Sequence, residues 1–177
     1  MTIAHYPGPR PLAPVPLSCQ RAALLSLLLL LGACAHQGGG AHAGRELAPA
    51  DSVAANGVLI RAIGLVGTPY HFGGASPEGG FDCSGLVQFV YRDSAGIRLP
   101  RSTRELVAMD APEVAREQLQ PGDLVFFSPG GGPPSHIGIY VGEGRFVHAP
   151  STGGTVRLDL LDSDYWRRAY VGARRLL

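Results

Sequence analysis

The stretch "GGFDCSGLVQFVYRDSAG", Gly79–Gly96, places a cysteine at the start of an amphipathic helix. Asp82 is of a residue type favoured at helix N-caps, and Gly96 is typical of a helix C-terminus. Apolar residues recur between them at i, i+3 and i+4 on one face: Leu86, Phe89 and Val90. Cys83 therefore lies at about the first helical position. There it is either a small buried residue or a nucleophile.

The composition indicates one domain with an additional segment. The chain has 177 residues, 45% hydrophobic and 16% charged, with a formal net charge of +1. Proteins that bind nucleic acid usually carry a clustered basic excess, so nucleic acid is not an expected partner. The three cysteines are an odd number and form no C-x-x-C pair, which argues against a disulfide framework and against a metal site. We expect no metal and no organic cofactor.

The N-terminal region is typical of an export signal. An apolar run, Ala22–Leu31, follows Arg21 and is about half the roughly 20 residues that span a bilayer. It ends in Leu31-Gly32-Ala33-Cys34, which resembles the bacterial lipoprotein box. We predict a signal peptide over residues 1–33 and lipidation of Cys34. A plain signal peptide cut near Cys34 and a buried core helix are the alternatives.

A Gly/Ala-rich tether follows over residues 34–50, and the folded domain is expected over residues 51–177. The residue after Cys34 is Ala35 and not an aspartate. By resemblance to lipoproteins of two-membrane bacteria, this favours an outer-membrane protein that faces the periplasm.

The domain begins with helical patterns and ends with strands. A helix is predicted over Val53–Val66, and a short one around Ser102–Met109. Five short segments rich in Val, Ile, Phe and Tyr follow Pro121-Gly122: "DLVFFS", "HIGIYVG", "RFVHAP", "TVRLDL" and "YVGARRLL". Helices first and strands later predict an α+β fold with an antiparallel sheet.

Two of these strands are predicted to form a hairpin around a Gly-Glu-Gly loop. This register pairs Val141 with Arg145 and Ile139 with Val147. Because residues two apart in a strand share a face, His136 and His148 are expected on one face. A one-residue change in the loop would place them on opposite faces.

A thiol near two histidines has a definite chemistry. The thiolate is the nucleophile, and both a helix N-terminus and a nearby imidazolium favour it. The imidazole then protonates the leaving amine, and a third polar group holds its tautomer. Backbone N–H groups at the helix start can stabilise an oxyanion. The competing interpretation is a buried structural cysteine with structurally satisfied histidines.

A family resemblance favours catalysis. Several blocks occur in order: GGASP (73–77), FDCSGL (81–86), LPR (99–101), PGDLVFF (121–127), HIGIY (136–140) and VHA (147–149). They resemble the NlpC family of papain-like cell-wall endopeptidases. The resemblance implies a papain-like fold with N-terminal helices packed on an antiparallel sheet.

The same resemblance implies a Cys-His-His triad. Cys83 is the expected nucleophile, His136 the general base and acid, and His148 the orienting residue. Tyr70 matches a tyrosine that helps to form the site in the family. With Asp82 and Ser84, it is assigned to substrate and oxyanion contacts.

The implied activity is hydrolysis of peptidoglycan stem peptides, at the bond between γ-D-glutamate and meso-diaminopimelate, through a thioester. The protein is expected to be monomeric and to reach the membrane through its N-terminal lipid anchor. A catalytically silent peptidoglycan-binding domain and a related amidase or acyltransferase with the same triad are the alternatives. A redox thiol protein is disfavoured because no resolving cysteine lies near Cys83.

Overall fold

The computed structural model describes residues 49–152 and 154–177. The predicted signal peptide (residues 1–33), the predicted lipidation site Cys34 and nearly all of the predicted tether (residues 34–50) lie outside the described residues. Helix α1, Pro49–Gly64, begins two residues before the expected start of the domain at residue 51. None of the helices in the described part of the chain combines the length and apolar character needed to cross a membrane.

The expected helices are present, and their ends follow local capping chemistry. Helix α2 is Cys83–Ala95 and helix α3 is Thr103–Val107. The Asp82 carboxylate caps α2 by accepting from the Gly85 N–H at 2.7 Å, and Gly96 ends it with φ +67°. Ser102 and Glu105 form a capping box at the start of α3. A 3₁₀ turn, Arg116–Gln118, and helix α4, Asp164–Ala169, are the remaining helical elements among the described residues.

The strands form two antiparallel sheets, which confirms the α+β class. A small one pairs β1, Ala75–Ser76, with β2, Gly80–Phe81. The main sheet has five strands: β3 Leu124–Phe127, β4 His136–Gly142, β5 Arg145–His148, β6 Arg157–Leu160 and β7 Tyr170–Arg174. Their order across the sheet is β6-β5-β4-β3-β7.

The β4–β5 hairpin keeps the predicted faces but not the predicted loop. Ile139 pairs with Val147 as expected, whereas Arg145 pairs with Gly142 rather than with Val141. The predicted Val141–Arg145 pair is therefore wrong. The turn is shorter because Glu143 and Gly144 both adopt positive φ, +51° and +67°, which suits a two-residue hairpin turn. The register shift beside Val141 absorbs the difference.

Each face of the main sheet is covered by its own apolar cluster. Helices α1 and α2 pack on one face, where Ile137, Ile139 and Val147 meet residues such as Val58 and Leu86. The other face carries a smaller cluster that includes α4: Val125, Phe127, Phe146, Leu161, Trp166, Ala169 and Ala173. The period-2 alternation of β4 and β5 sets this division. It leaves both histidines on the side of the smaller cluster.

Candidate active site

The Cys83 thiol lies where the start of α2 meets the start of β4. Its Sγ atom is 3.7 Å from Thr103 Oγ1, and the backbone N–H groups of Ser84 and Ile137 face it. Ile137 follows His136 directly, so the thiol lies beside the first residue of β4. Cys83 is a free cysteine, partly exposed to solvent.

The two predicted histidines are in direct contact. His136 Nε2 and His148 Nδ1 are 2.8 Å apart, and the rings meet edge to face with centroids 5.1 Å apart. Both side chains are buried. Contact between the rings confirms the predicted shared face of the two histidines, although the register of the hairpin differs from the prediction near its turn.

Trp166 of α4 covers both histidines on the face of the sheet that carries the smaller cluster. Its ring stacks on His136 with centroids 5.4 Å apart and an interplanar angle of 23°. It also meets His148 edge-on at 4.9 Å. Trp166 could not be predicted as a site residue, because no periodic pattern marks the short helix that carries it.

Asp159 of β6 is a second site residue that was not predicted from the sequence. Its Oδ2 atom is 3.0 Å from His148 Nε2, and it accepts from Trp166 Nε1 at 2.7 Å. Arg157 donates to the same carboxylate from Nε and Nη2. The alternation in "TVRLDL" could have indicated it, because Arg157 and Asp159 lie two residues apart and share one face of the strand.

Burial sets the protonation states of the site. It lowers the pKa of His136 to about 3, and the charges of His148 and Arg157 act in the same direction. Burial also lowers the pKa of His148 to about 4, although the Asp159 carboxylate opposes the shift. Burial raises the pKa of the Cys83 thiol, against the lowering effect of its Thr103 contact. The resting site therefore holds a neutral thiol and neutral imidazoles, not the imidazolium-stabilised thiolate that the sequence analysis assumed.

The side chains of Asp82 and Ser84 form hydrogen bonds within the protein, with each other and with Arg101. Asp82 binds Arg101 through both guanidinium nitrogens, at 2.9 and 2.7 Å. The Ser84 hydroxyl donates to Asp82 at 3.2 Å and accepts from Arg101 at 2.8 Å. These contacts fix the N-terminal turn of α2, and the Ser84 backbone N–H remains directed at the thiol.

Tyr70 lies close to the nucleophile position. Its pKa is raised, first by burial and then by the charges of Cys83 and Asp82. Its backbone is held by an N–H bond to Gly154 O at 2.7 Å and by a bridge to Phe81, which directly precedes Asp82. The structure thus brings the tyrosine, the thiol and the histidine pair to one end of the main sheet.

A cleft of about 590 Å³ opens beside His136. Its lining includes Arg157, Tyr165 and Trp166, which offer one cation and two aromatic surfaces. Within residues 49–152 and 154–177, no group of three or more His, Cys, Asp or Glu side chains is arranged to hold a metal ion. The chemistry available to the described residues is that of a thiol, an imidazole pair and a carboxylate.

Comparison with known proteins adds a family model and similar relatives. The model of the NlpC/P60 family matches residues 67–175. The chain is 48% identical over 114 residues to the murein DD-endopeptidase MepH of Escherichia coli, covering 63% of this chain and 42% of that protein. It is 42% identical over 132 residues to the gamma-DL-glutamyl hydrolase of Bacillus subtilis, covering 74% of this chain and 32% of that protein. The chain thus spans less than half the length of these two relatives.

A solved structure shows the same architecture. The crystal structure of an NlpC/P60 family protein from Bacillus cereus matches with a TM-score of 0.63 and 33% identity, covering 68% of this chain and 39% of that one. The family model covers 109 of the 177 residues, from 67 to 175, and includes Cys83, His136 and His148. The helices packed on an antiparallel sheet are those of a papain-like domain of this kind, and the chain belongs to the NlpC/P60 family.

Proposed function

We propose that this chain is a cysteine endopeptidase that hydrolyses amide bonds in the peptides of peptidoglycan. The observation that carries the proposal is a thiol at the start of α2 beside a histidine pair in 2.8 Å contact. Membership of the NlpC/P60 family and the name of the Escherichia coli relative, a murein DD-endopeptidase, support the substrate class.

In the proposed reaction, Cys83 is the nucleophile and His136 is the general base. As the carbonyl carbon approaches, the thiol proton moves to His136 and the sulfur forms a bond to that carbon. The backbone N–H groups that face the thiol lie where a developing oxyanion can accept from them. Because the resting groups are neutral, this proton transfer accompanies attack and does not precede substrate binding.

Collapse of the tetrahedral intermediate breaks the C–N bond. The His136 imidazolium returns its proton to the departing amine, and a thioester to Cys83 remains. Water then attacks the thioester, gives one proton to His136, and the thiol is restored as the carboxylic acid leaves. His148 orients His136 throughout through the Nε2–Nδ1 contact.

Two bonds are candidates for the scissile amide. The name of the Bacillus subtilis relative, gamma-DL-glutamyl hydrolase, supports a γ-glutamyl amide. In the expected stem peptide, that amide is the bond between γ-D-glutamate and meso-diaminopimelate. The name of the Escherichia coli relative, murein DD-endopeptidase, supports instead a crosslink bond between two D-centres. The γ-D-glutamyl bond is our first candidate and the crosslink our second.

Digestion of defined muropeptides tests the proposal. The purified protein is incubated with a monomeric tetrapeptide muropeptide and with its crosslinked dimer, and the products are measured by mass spectrometry. Cleavage of the γ-D-glutamyl bond shortens the monomer, whereas cleavage of the crosslink converts dimer to monomer and leaves the monomer intact. Cys83→Ala should bind the peptides and release neither product.

Two results would contradict catalysis by this site. One is wild-type protein that binds muropeptides and leaves them intact, as a silent wall-binding domain would. The other is a Cys83→Ala protein that is as active as the wild type. Transfer of the acyl group to an added amine in preference to water would identify an acyltransferase.

We also propose that Cys34 carries a lipid and that the domain faces the periplasm from the outer membrane. The lipoprotein-like sequence Leu31-Gly32-Ala33-Cys34 and the following Ala35 support this. Intact-mass analysis of protein extracted from membranes tests it. An unmodified N-terminus at a residue other than Cys34 would disprove lipidation.

A further inference from the structure

One carboxylate oxygen behind the histidine pair accepts from three side chains. Asp159 Oδ2 lies 3.0 Å from His148 Nε2, 2.7 Å from Trp166 Nε1 and 3.0 Å from Arg157 Nη2. Indole and guanidinium nitrogens are donors only, so this oxygen acts as an acceptor. Burial of the carboxyl would raise its pKa, but the hydrogen bonds from Arg157 and Trp166 outweigh burial and hold that pKa below its usual range. Asp159 is therefore an anion in the resting site.

The anion decides where the imidazole protons lie. An ionised carboxylate can only accept, so His148 Nε2 must donate to Asp159. The His148 ring is neutral, which leaves its Nδ1 without a proton and makes it the acceptor for His136 Nε2–H at 2.8 Å. The neutral His136 ring then carries no proton on Nδ1. This is the nitrogen that remains to take a proton from Cys83.

We propose that Asp159 is a positioning residue that fixes the tautomers of both histidines and so presents His136 Nδ1 as the base. This proposal rests on the proposed function for its catalytic meaning. The opposite tautomers would place a proton on His136 Nδ1 and leave the thiol with no acceptor. During attack, His136 becomes positively charged, and the Asp159 charge behind His148 stabilises that state.

The burial pattern of β6 supports this assignment independently. Leu158 and Leu160 are 37% and 55% exposed, whereas the Asp159 side chain between them is only 21% exposed. A strand ordinarily buries its apolar side, and a one-residue change of register would bury both leucines. The observed register pairs Arg157 with His148 and Asp159 with Phe146, which turns the polar side of β6 toward the site. Strand β6 therefore leaves Leu158 and Leu160 exposed while it places the Asp159 carboxylate next to His148.

Few charged groups face the histidine pair, so a pH profile can be interpreted. His148 of β5 and Arg157 of β6 lower the pKa of His136, and Asp159 of β6 raises it. From the other elements, Phe127 and Phe146 of the sheet and Trp166 of α4 contribute uncharged rings. Removal of the Asp159 charge should therefore lower the pKa of both histidines.

The first test needs no variant and no substrate. Imidazole nitrogen shifts are measured by NMR on the purified, ¹⁵N-labelled full chain near pH 7. We expect both rings to be neutral, with a protonated Nε2 and an unprotonated Nδ1. A protonated Nδ1 on either ring would overturn the proposal, whether or not the protein cleaves muropeptides.

The second test is kinetic. Asp159→Asn keeps the size and one acceptor oxygen and removes the charge, so kcat should fall by about tenfold to a hundredfold, the range for loss of a hydrogen bond to a charged group. KM should stay within about twofold, because the carboxylate acts through His148 and not on the substrate. The acidic limb of the kcat/KM profile should move to lower pH. A purely structural role would lower the plateau and leave that limb in place.

Two further variants complete the design. Asp162→Asn is the matched control, because Asp162 is 80% exposed and pairs with Arg116 rather than with a histidine; it should match the wild type. Asp159→Glu restores the charge and should recover part of the lost kcat. Wild-type kcat and an unmoved acidic limb in Asp159→Asn would overturn the proposal. Wild-type protein that cleaves nothing yet shows the expected tautomers would refute the proposed function and leave the Asp159 assignment intact.

Discussion

Replacement of Asp82 by alanine should destabilise the domain more than any single helix cap does. The carboxylate joins three segments: it caps α2 at Gly85 N–H, accepts from Gly73 N–H at 3.0 Å and binds the Arg101 guanidinium at 2.9 and 2.7 Å. Its side chain is only 14% exposed. Loss of the carboxylate therefore removes contacts with the start of α2 at Gly85, with the loop at Gly73 and with Arg101 in the segment before α3.

The magnitude follows from these contacts. Loss of an N-cap costs about 1 kcal/mol. Hydrogen bonds to a charged group contribute about 1.5–3 kcal/mol, and the lower part of that range applies because the Arg101 side chain is 38% exposed. Asp82→Ala should therefore lower the free energy of unfolding by about 2–4 kcal/mol. Asp82→Asn keeps a capping oxygen and should lose about half as much.

Urea denaturation followed by circular dichroism measures this change, with Asp93→Ala as the control. Asp93 also pairs with an arginine, Arg61, but is 48% exposed, so its loss should cost no more than about 1 kcal/mol. An Asp82→Ala protein within about 0.5 kcal/mol of the wild type would refute the reasoning.

The pH dependence of stability gives the same prediction a second measurement. Burial would raise the pKa of Asp82, but the Arg101 and backbone hydrogen bonds outweigh it and hold the pKa below its usual range. A depressed pKa means that the stabilisation is fully present above the unfolded-state value, about 3.9, and is lost as pH falls through the lower folded value. The difference in stability between wild type and Asp82→Asn should therefore shrink below about pH 4. A difference that stays constant to pH 2 would contradict the assignment.

Two other substitutable or reactive positions give further predictions. A Cβ on Gly85 would lie 2.0 Å from the Gly74 carbonyl oxygen, so Gly85→Ala should lower the free energy of unfolding by about 3 kcal/mol in urea denaturation. A Cβ on Gly64 would have no atom within 4 Å, so Gly64→Ala should cause no loss of stability. Equal effects of the two substitutions would contradict the packing. Burial raises the pKa of Cys83, so the rate of its alkylation by iodoacetamide should still increase with pH above about pH 8.5. Peptide mass spectrometry measures this rate. A rate that is already constant at pH 7 would indicate a resting thiolate instead.

Much of the site could be predicted from local patterns. Asp82 and Gly96 mark the ends of α2 because capping depends on residues adjacent in sequence. The shared face of His136 and His148 followed from strand alternation, since Ile139 does pair with Val147. The loop was predicted one residue too long, because positive φ at Glu143 leaves little trace in the sequence.

The protonation states could not be predicted in the same way. A cysteine and a histidine in this pattern indicate a thiolate beside an imidazolium, whereas burial lowers the pKa of His136 and raises that of Cys83. Burial depends on which side chains pack around a group. Trp166 is distant from His136 in the sequence, yet its ring stacks directly on His136 and helps to exclude water from it.

Local patterns along the chain were enough to assign the class of fold, the helix that begins at the cysteine and the face that the two histidines share. The contacts of Asp159 with His148 and of Arg101 with Asp82 are visible only in the folded domain. Capping and strand alternation can be recognised in the sequence because they act over a few residues. The register of β6 against β5, and the contact across 19 residues between Asp82 and Arg101, are set by the packing of the whole domain.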